Sequence, residues 1–135
     1  MRKRGAMFDL KFNHISMTIP IGKESEARHF YCDILGFSEI EKPASLIPNG
    51  GLWLQTANLP LHIGVEDGVD RQKTKRHPAF ETADLDRLKS HLISHKVEIK
   101  EAIPIPGYVR FYIFDPFGNR IECMQPLEQF SKPYI

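Results

Sequence analysis

Four residues of this 135-residue chain carry donor atoms at spacings that suggest one shared site: His14, His62, His77 and Glu122. Each stands in a short segment that alternates apolar and polar residues, the pattern of a half-buried strand. Glu122 lies between Ile121 and Cys123, and a carboxylate in an apolar strand is costly to bury unless a positive group meets it. His14 and His62 are 48 residues apart, and His77 and Glu122 are 45 apart. If the halves of the chain are copies of one unit, a twofold relation brings these side chains to equivalent places. Two or three imidazoles with one carboxylate make a ligand set for a divalent ion such as Fe(II), Ni(II), Mn(II), Co(II) or Zn(II), with positions left open for substrate or water. A strand histidine taken alone is more often an ordinary hydrogen-bonded residue. The repeat is what lifts these above that reading. His29, His91 and His95 fall on helical segments outside the set, the last two as an exposed i, i+4 pair.

The elements that must position the four can be read in order. Residues 12–19 (FNHISMTI) place Ile15, Met17 and Ile19 on one face of a strand and His14, Ser16 and Thr18 on the other. Residues 24–35 have helical spacing at Ala27, Phe30, Tyr31, Ile34 and Leu35, and Gly36 ends them as a C-cap. A loop through Pro43 and Pro48 reaches a turn at Asn49-Gly50-Gly51. Strands follow at 52–56 and 61–66, the second with His62, Gly64 and Glu66 on one face. After a charged linker (67–76) the pattern restarts: a strand at 77–82, then a helix at 84–96 with Asp84 as N-cap and Leu85, Leu88, Leu92 and Ile93 as its apolar stripe. A strand at 97–102 and a Pro106-Gly107 turn lead to a hairpin. Its first strand, 108–114, carries Tyr108, Arg110, Tyr112 and Phe114 on one face. Asp115-Pro116-Phe117-Gly118-Asn119 reverses the chain, and the return strand runs from Arg120 to Met124.

The two halves align as FNHISMTI with KRHPAFET, LWLQT with RFYIF, and LHIGV with IECMQ. The repeated order of strand, helix and three strands predicts an α+β fold of two tandem βαβββ modules, about 12–66 and 77–126, inside a single domain spanning 1–135. Trp53, Phe111, Phe114 and Phe117 line either the cleft between the modules or the core behind it.

Composition narrows the partners. Apolar and charged fractions are ordinary for a globular protein, and the formal charge of +1 suggests neither a nucleic-acid nor a membrane surface. Arg2-Lys3-Arg4 reads as a solvated terminus, because Gly5-Ala6-Met7-Phe8-Asp9 does not supply the apolar core of a signal peptide. The last ten residues read as a loosely packed tail. Cys32 and Cys123 form no metal spacing and no disulfide framework, so a reducing cytoplasm is the expected setting.

With His14 in FNHISMTI, the helix ending HFYCDILGF, His77 in RHPAFET and Glu122 closing FYIFDPFGNRIE, the sequence resembles the vicinal oxygen chelate superfamily across about residues 12–126. That superfamily groups glyoxalase I, bleomycin and fosfomycin resistance proteins, and type I extradiol dioxygenases. The resemblance implies two βαβββ modules closing into an incomplete barrel, with metal and substrate in a central cleft. It implies His14, His77 and Glu122 as the ligands of a divalent metal, and it sets His62 near a fourth position, or just behind the metal, where glyoxalase I has glutamate.

The activity implied is glyoxalase-like lyase or isomerase chemistry on a small molecule bound through neighbouring oxygens, in a protein that is a homodimer by analogy. Glu122 is the proton-moving carboxylate of that reading, with Glu66 the weaker candidate; Arg110 and Glu66 are the residues for holding substrate, with Arg120 a further candidate. One alternative is a small extradiol-type dioxygenase. There Tyr112, ten residues before Glu122, would bind and deprotonate a catechol and His62 would stand beside the metal. Packing alone also accounts for Tyr112. The other alternative is a metal-free protein of the bleomycin-resistance type that sequesters a ligand.

Overall fold

The computed structural model describes residues 7–128. Arg2-Lys3-Arg4 and the tail beyond residue 128 lie outside the described residues. The elements run β1 (Ile15–Ile19), α1 (Glu24–Arg28), β2 (Ser38–Ile40), β3 (Leu52–Gln55), β4 (Pro60–Val65), β5 (Ala79–Glu81), α2 (Leu85–Ser94), β6 (Ile99–Glu101), β7 (Tyr108–Phe114) and β8 (Arg120–Pro126). They build two four-stranded sheets of identical order, β1-β4-β3-β2 and β5-β8-β7-β6. In each, the first strand pairs parallel to the last and the other pairs are antiparallel. This is the βαβββ unit given twice. Among the described residues no backbone hydrogen bond joins one sheet to the other, so each sheet stays open at both edges.

Several boundaries differ from the sequence expectation, each for a local reason. β1 begins at Ile15, three residues later than its alternation suggests, because its ladder opens on Leu61 and the preceding Pro60 has no N–H to extend it. Phe12 is consequently 84% exposed, and His14 sits on the lead-in to the strand. The helix expected over 24–35 changes winding: α1 continues as a π-helical turn, His29–Ile34, with the Leu35 N–H reaching the Phe30 carbonyl at 3.0 Å. Phe30, Tyr31 and Ile34 are buried all the same, so apolar spacing does not separate the two windings. Gly36 closes the turn at φ +82, as expected. β2 is hidden in the expected loop because a three-residue edge strand, Ser-Glu-Ile, has no apolar alternation to read. Asp84 does cap α2, accepting from the Arg87 N–H at 3.1 Å. Ile93 does not join the stripe. It is 58% exposed, because α2 meets the core through Leu85, Leu88 and Leu92 at i, i+3 and i+7.

One buried apolar cluster runs through both modules, from Met17, Ile19 and Leu54 in the first to Leu92, Ile113 and Ile121 in the second. Side chains complete the joint. The Phe37 and Phe80 rings lie 5.2 Å apart, and His91 Nε2 donates to the Ile34 carbonyl at 2.7 Å. His91 is thereby engaged, with the exposed His95 ring 4.7 Å from it.

The Asp115–Asn119 turn is part of the same joint. The buried Asp115 carboxylate accepts from Phe117 N–H at 2.9 Å, Asn119 N–H at 2.8 Å and Asn119 Nδ2 at 2.7 Å. It also accepts from the Tyr31 hydroxyl of the other module at 2.6 Å. Asn119 Nδ2 donates in addition to the Thr18 carbonyl on β1, at 2.9 Å. No described helix is long and apolar enough to cross a membrane.

Candidate functional site

The ladder registers place the four candidate residues in two equivalent groups. Ser16 pairs with His62 across β1 and β4, and Ala79 pairs with Glu122 across β5 and β8. His14 precedes the first pair by two residues and His77 precedes the second by two. Cross-strand, Trp53 opposes His62 as Tyr112 opposes Glu122. The structural repeat therefore equates His14 with His77, His62 with Glu122, and Trp53 with Tyr112. The last equivalence moves the sequence alignment of LWLQT with RFYIF by one residue. Trp53 accordingly lies on the site side, one of the two placements its sequence left open.

In the second module the group is tied together. Glu122 is 7% exposed, with His77 Nε2 3.0 Å from Oε1 and Arg110 Nη1 3.2 Å from Oε2. The positive group that meets Glu122 is thus Arg110, which also donates to Tyr112 Oη at 2.9 Å and to the Ile103 carbonyl. Burial works against the Arg110 charge, but its bonds to Tyr112 and Glu122 outweigh this and raise its pKa above the ordinary arginine value. Tyr112 is edge-on to His77, ring centroids 5.4 Å apart. His77 Nδ1 lies 2.7 Å from the Lys75 carbonyl. A carbonyl only accepts, so Nδ1 carries the proton and the ring orientation is fixed. Behind the group, burial and then the Glu122 carboxylate push the Cys123 thiol up to about 12, so it is no nucleophile.

In the first module the group is a stack. Trp53 lies parallel to His62 at 3.8 Å, and His62 in turn is 4.1 Å from the His14 ring. Burial, and then the neighbouring His14, lower the His62 pKa, which keeps the imidazole lone pair available near neutral pH. His14 itself is exposed, with Nδ1 against Asn13 Oδ1 at 2.9 Å. Within one chain the structure brings His77 to Glu122 and His14 to His62. It does not bring the two groups together: among the described residues no three His, Cys, Asp or Glu side chains gather as a metal-binding cluster.

A cleft of about 1010 Å³ runs between the modules, with residues 15–18 of β1 on one side and the linker through His77 and Pro78 on the other. Glu66 lines it, accepting from the Thr18 hydroxyl at 3.2 Å, and so does Arg120. Arg71, read from sequence only as part of a charged linker, is buried and pins that linker to β1: Nε donates to the Thr18 carbonyl at 2.9 Å and Nη2 donates to the Glu66 carbonyl. No spacing signal marks it, because its acceptors are two backbone carbonyls and the Thr18 hydroxyl, all distant in sequence or carried by ordinary residues. Phe111 belongs to the core, and Phe117 packs partly against it. Trp53 and Phe114 lie on the site side, under His62 and Arg120 respectively.

A family model for the Glyoxalase/Bleomycin resistance protein/Dioxygenase superfamily matches residues 11–123. A glyoxalase family protein from Bacillus anthracis is 38% identical, superposes with a TM-score of 0.83, and the match covers 94% of this chain and all of that one. FosX from Listeria monocytogenes, a fosfomycin resistance protein solved with Mn(II) and sulfate, is 20% identical, with a TM-score of 0.70 over 91% of this chain and 94% of its own. The antibiotic-binding protein TnmS3 from Streptomyces sp. CB03234 is 20% identical, with a TM-score of 0.62 over 87% of this chain and 99% of its own. These two likenesses concern the fold. No curated protein matches the chain.

Proposed function

The chain belongs to the Glyoxalase/Bleomycin resistance protein/Dioxygenase superfamily, and from that premise we propose that it is a metal-dependent, glyoxalase-like enzyme with lyase or isomerase chemistry on a small molecule. One observation carries the metal. With its Nδ1–H donated to the Lys75 carbonyl, His77 turns Nε2 towards a Glu122 carboxylate oxygen 3.0 Å away. A divalent cation seated between them would hold both atoms at once, so the separation would let His77 and Glu122 hold one ion together. Carboxylate oxygen with imidazole nitrogen suits Mn(II), Fe(II), Co(II), Ni(II) or Zn(II).

His77 and Glu122 would hold the ion, which supplies a Lewis acid for a substrate oxygen. The remaining work falls to the chain itself. Lys75 fixes the His77 ring, Arg110 orients Glu122 through Oε2, and Glu122 is the group placed to accept and return a substrate proton. His14 is exposed and apart from the pair, which supports a homodimer in which the His14–His62 group of one protomer completes the His77–Glu122 group of its partner.

The Arg110–Glu122 ion pair favours a second reading. An arginine already on the carboxylate balances its charge without metal, which suits a ligand-sequestering protein. Metal analysis of protein reloaded anaerobically separates the two. About one ion per chain, lost in Glu122→Gln and in His77→Ala while the fold persists, supports the enzyme. No uptake of any of the five metals supports sequestration. Equal uptake by Glu122→Gln and parent would show the ligand assignment to be wrong.

A further inference from the structure

We propose, resting on the homodimer reading above, that residues 7–12 are an exchange arm, and that each arm packs its apolar face into a groove on the second module of the partner protomer. Phe8, Leu10 and Phe12 alternate along the lead-in to β1 and, in an extended chain, share one face. Leu10 is 91% exposed and Phe8 70%, and Met7 and Phe12 are as open. Among the described residues, no hydrogen bond or ion pair ties 7–12 to the rest of the chain. Single exposed apolar residues are ordinary, but a strip of large ones marks a surface that meets a partner.

The receiving groove, of about 400 Å³, is lined by Leu85, Ala102, Pro104, Val109, Arg110 and Phe111. Ile103, between two of these, is 80% exposed, so the groove has an apolar rim as well as apolar walls. Position selects it. Arg110 lines the groove and also donates to Glu122 Oε2 at 3.2 Å, so the groove begins beside the carboxylate that the partner's His14 would approach. An extended chain advances about 3.3 Å per residue, which puts Phe12 about 7 Å and Leu10 about 13 Å from His14. A partner whose His14 reaches Glu122 thus carries its arm within reach of this groove. Within one chain the His14 and His77–Glu122 groups stand apart, so the arm starts away from its own groove. Charge agrees with the exchange. Lys89 in the groove is paired with Glu101 at 3.3 Å, whereas Asp86 there and Lys11 on the arm form no ion pair among the described residues. Area agrees too. Burying two phenylalanines removes about 300–500 Å² per arm, and two arms with the grooves they cover come to about 1,200–2,000 Å², the size of a stable interface. A twofold pair makes both exchanges at once.

The test uses the full chain, metal-free and metal-loaded. Sedimentation equilibrium gives the dimer dissociation constant of the parent, of the double variant Phe8→Ser, Phe12→Ser, and of Ile103→Ser. These side chains face solvent in the single chain, so the substitutions should leave its circular dichroism spectrum unchanged. Expected is a parent dimer that each variant weakens by about thirtyfold or more. A benzophenone side chain placed at position 10 reports the contact directly. In dimers mixed from light and ¹⁵N-labelled protomers, its photo-crosslinks should join position 10 of one chain to residues 101–111 of the other. A parent that stays monomeric overturns the proposal, as does a dimer that the arm variant leaves intact. Crosslinks within one chain, or to another part of the partner, overturn it as well. Should either variant not fold, the crosslinks decide alone. Metal uptake separates this contact from the metal reading: about one ion per chain with a dimer indifferent to the arm sinks the arm alone, and an arm-dependent dimer that takes up no metal sinks the metal alone.

Discussion

Asp115→Ala should be among the most damaging single changes in the protein, although Asp115 takes no part in the candidate chemistry. Its carboxylate is 5% exposed and accepts four hydrogen bonds, from Tyr31 Oη, the Phe117 and Asn119 N–H groups and Asn119 Nδ2. Alanine leaves the Phe117 and Asn119 N–H groups without an acceptor, while Asn119 Nδ2 keeps the Thr18 carbonyl and the Tyr31 hydroxyl keeps only the weak Met17 sulfur at 3.9 Å. Each orphaned donor costs about 1–3 kcal/mol, less where water can reach it. The expected loss is about 3–5 kcal/mol, a large share of the stability of about 5–15 kcal/mol usual for one domain. Urea unfolding at pH 7 of the parent, Asp115→Ala, Tyr31→Phe and the double variant measures it. Tyr31→Phe should cost about 1–2 kcal/mol alone and clearly less in the Asp115→Ala background, because the bond it removes is already gone. A loss below about 1 kcal/mol for Asp115→Ala, or strict additivity in the cycle, would refute the claim that this turn joins the modules.

Three further outcomes follow from the same geometry. Burial, and then the adjacent Asp115 carboxylate, raise the Tyr31 phenol well above its ordinary value of 10, so the native state keeps a proton that the unfolded chain loses. Stability is therefore full below about pH 10 and falls as the pH rises above it, and Tyr31→Phe should flatten that alkaline decline in urea midpoints; parallel declines would contradict it. Gly51→Ala should prevent folding, because a Cβ there would sit 2.1 Å from the Ile63 carbonyl oxygen at φ +78, whereas Gly36→Ala meets nothing within 4 Å and should cost only about 1–2 kcal/mol of left-handed strain; equal losses by circular dichroism melts would be inconsistent with this register. Tyr112→Phe removes one of the partners of Arg110 and should cost about 1 kcal/mol with metal content unchanged, whereas loss of catechol turnover in that variant would point to the dioxygenase chemistry instead.

The fold was readable because its signals are local. Alternation in FNHISMTI and YVRFYIF, the Asp84 cap and the Gly36 stop each act within a few residues, and the repeat multiplied them. β2 and the π-helical turn escaped because neither writes a distinct apolar period. The site was readable only as residue types. Equivalence of His14 with His77 and of His62 with Glu122 survives in the ladder registers. That Arg110 answers Glu122 and Arg71 fastens the linker could not be read, since both depend on which faces meet in three dimensions.

Among the described residues, hydrogen-bonded ladders end at the edge of each module, and apart from the connecting segment side chains fasten one module to the other. A ladder transmits every change of register along its length, whereas a side-chain joint transmits only what touches it. The two copies have therefore been free to drift apart at corresponding places without misaligning each other. The drift is visible where it matters most: an imidazole against an indole in one half, a carboxylate against a phenol in the other. A duplicated fold held this way can carry a different set of donor groups at the same place in each half.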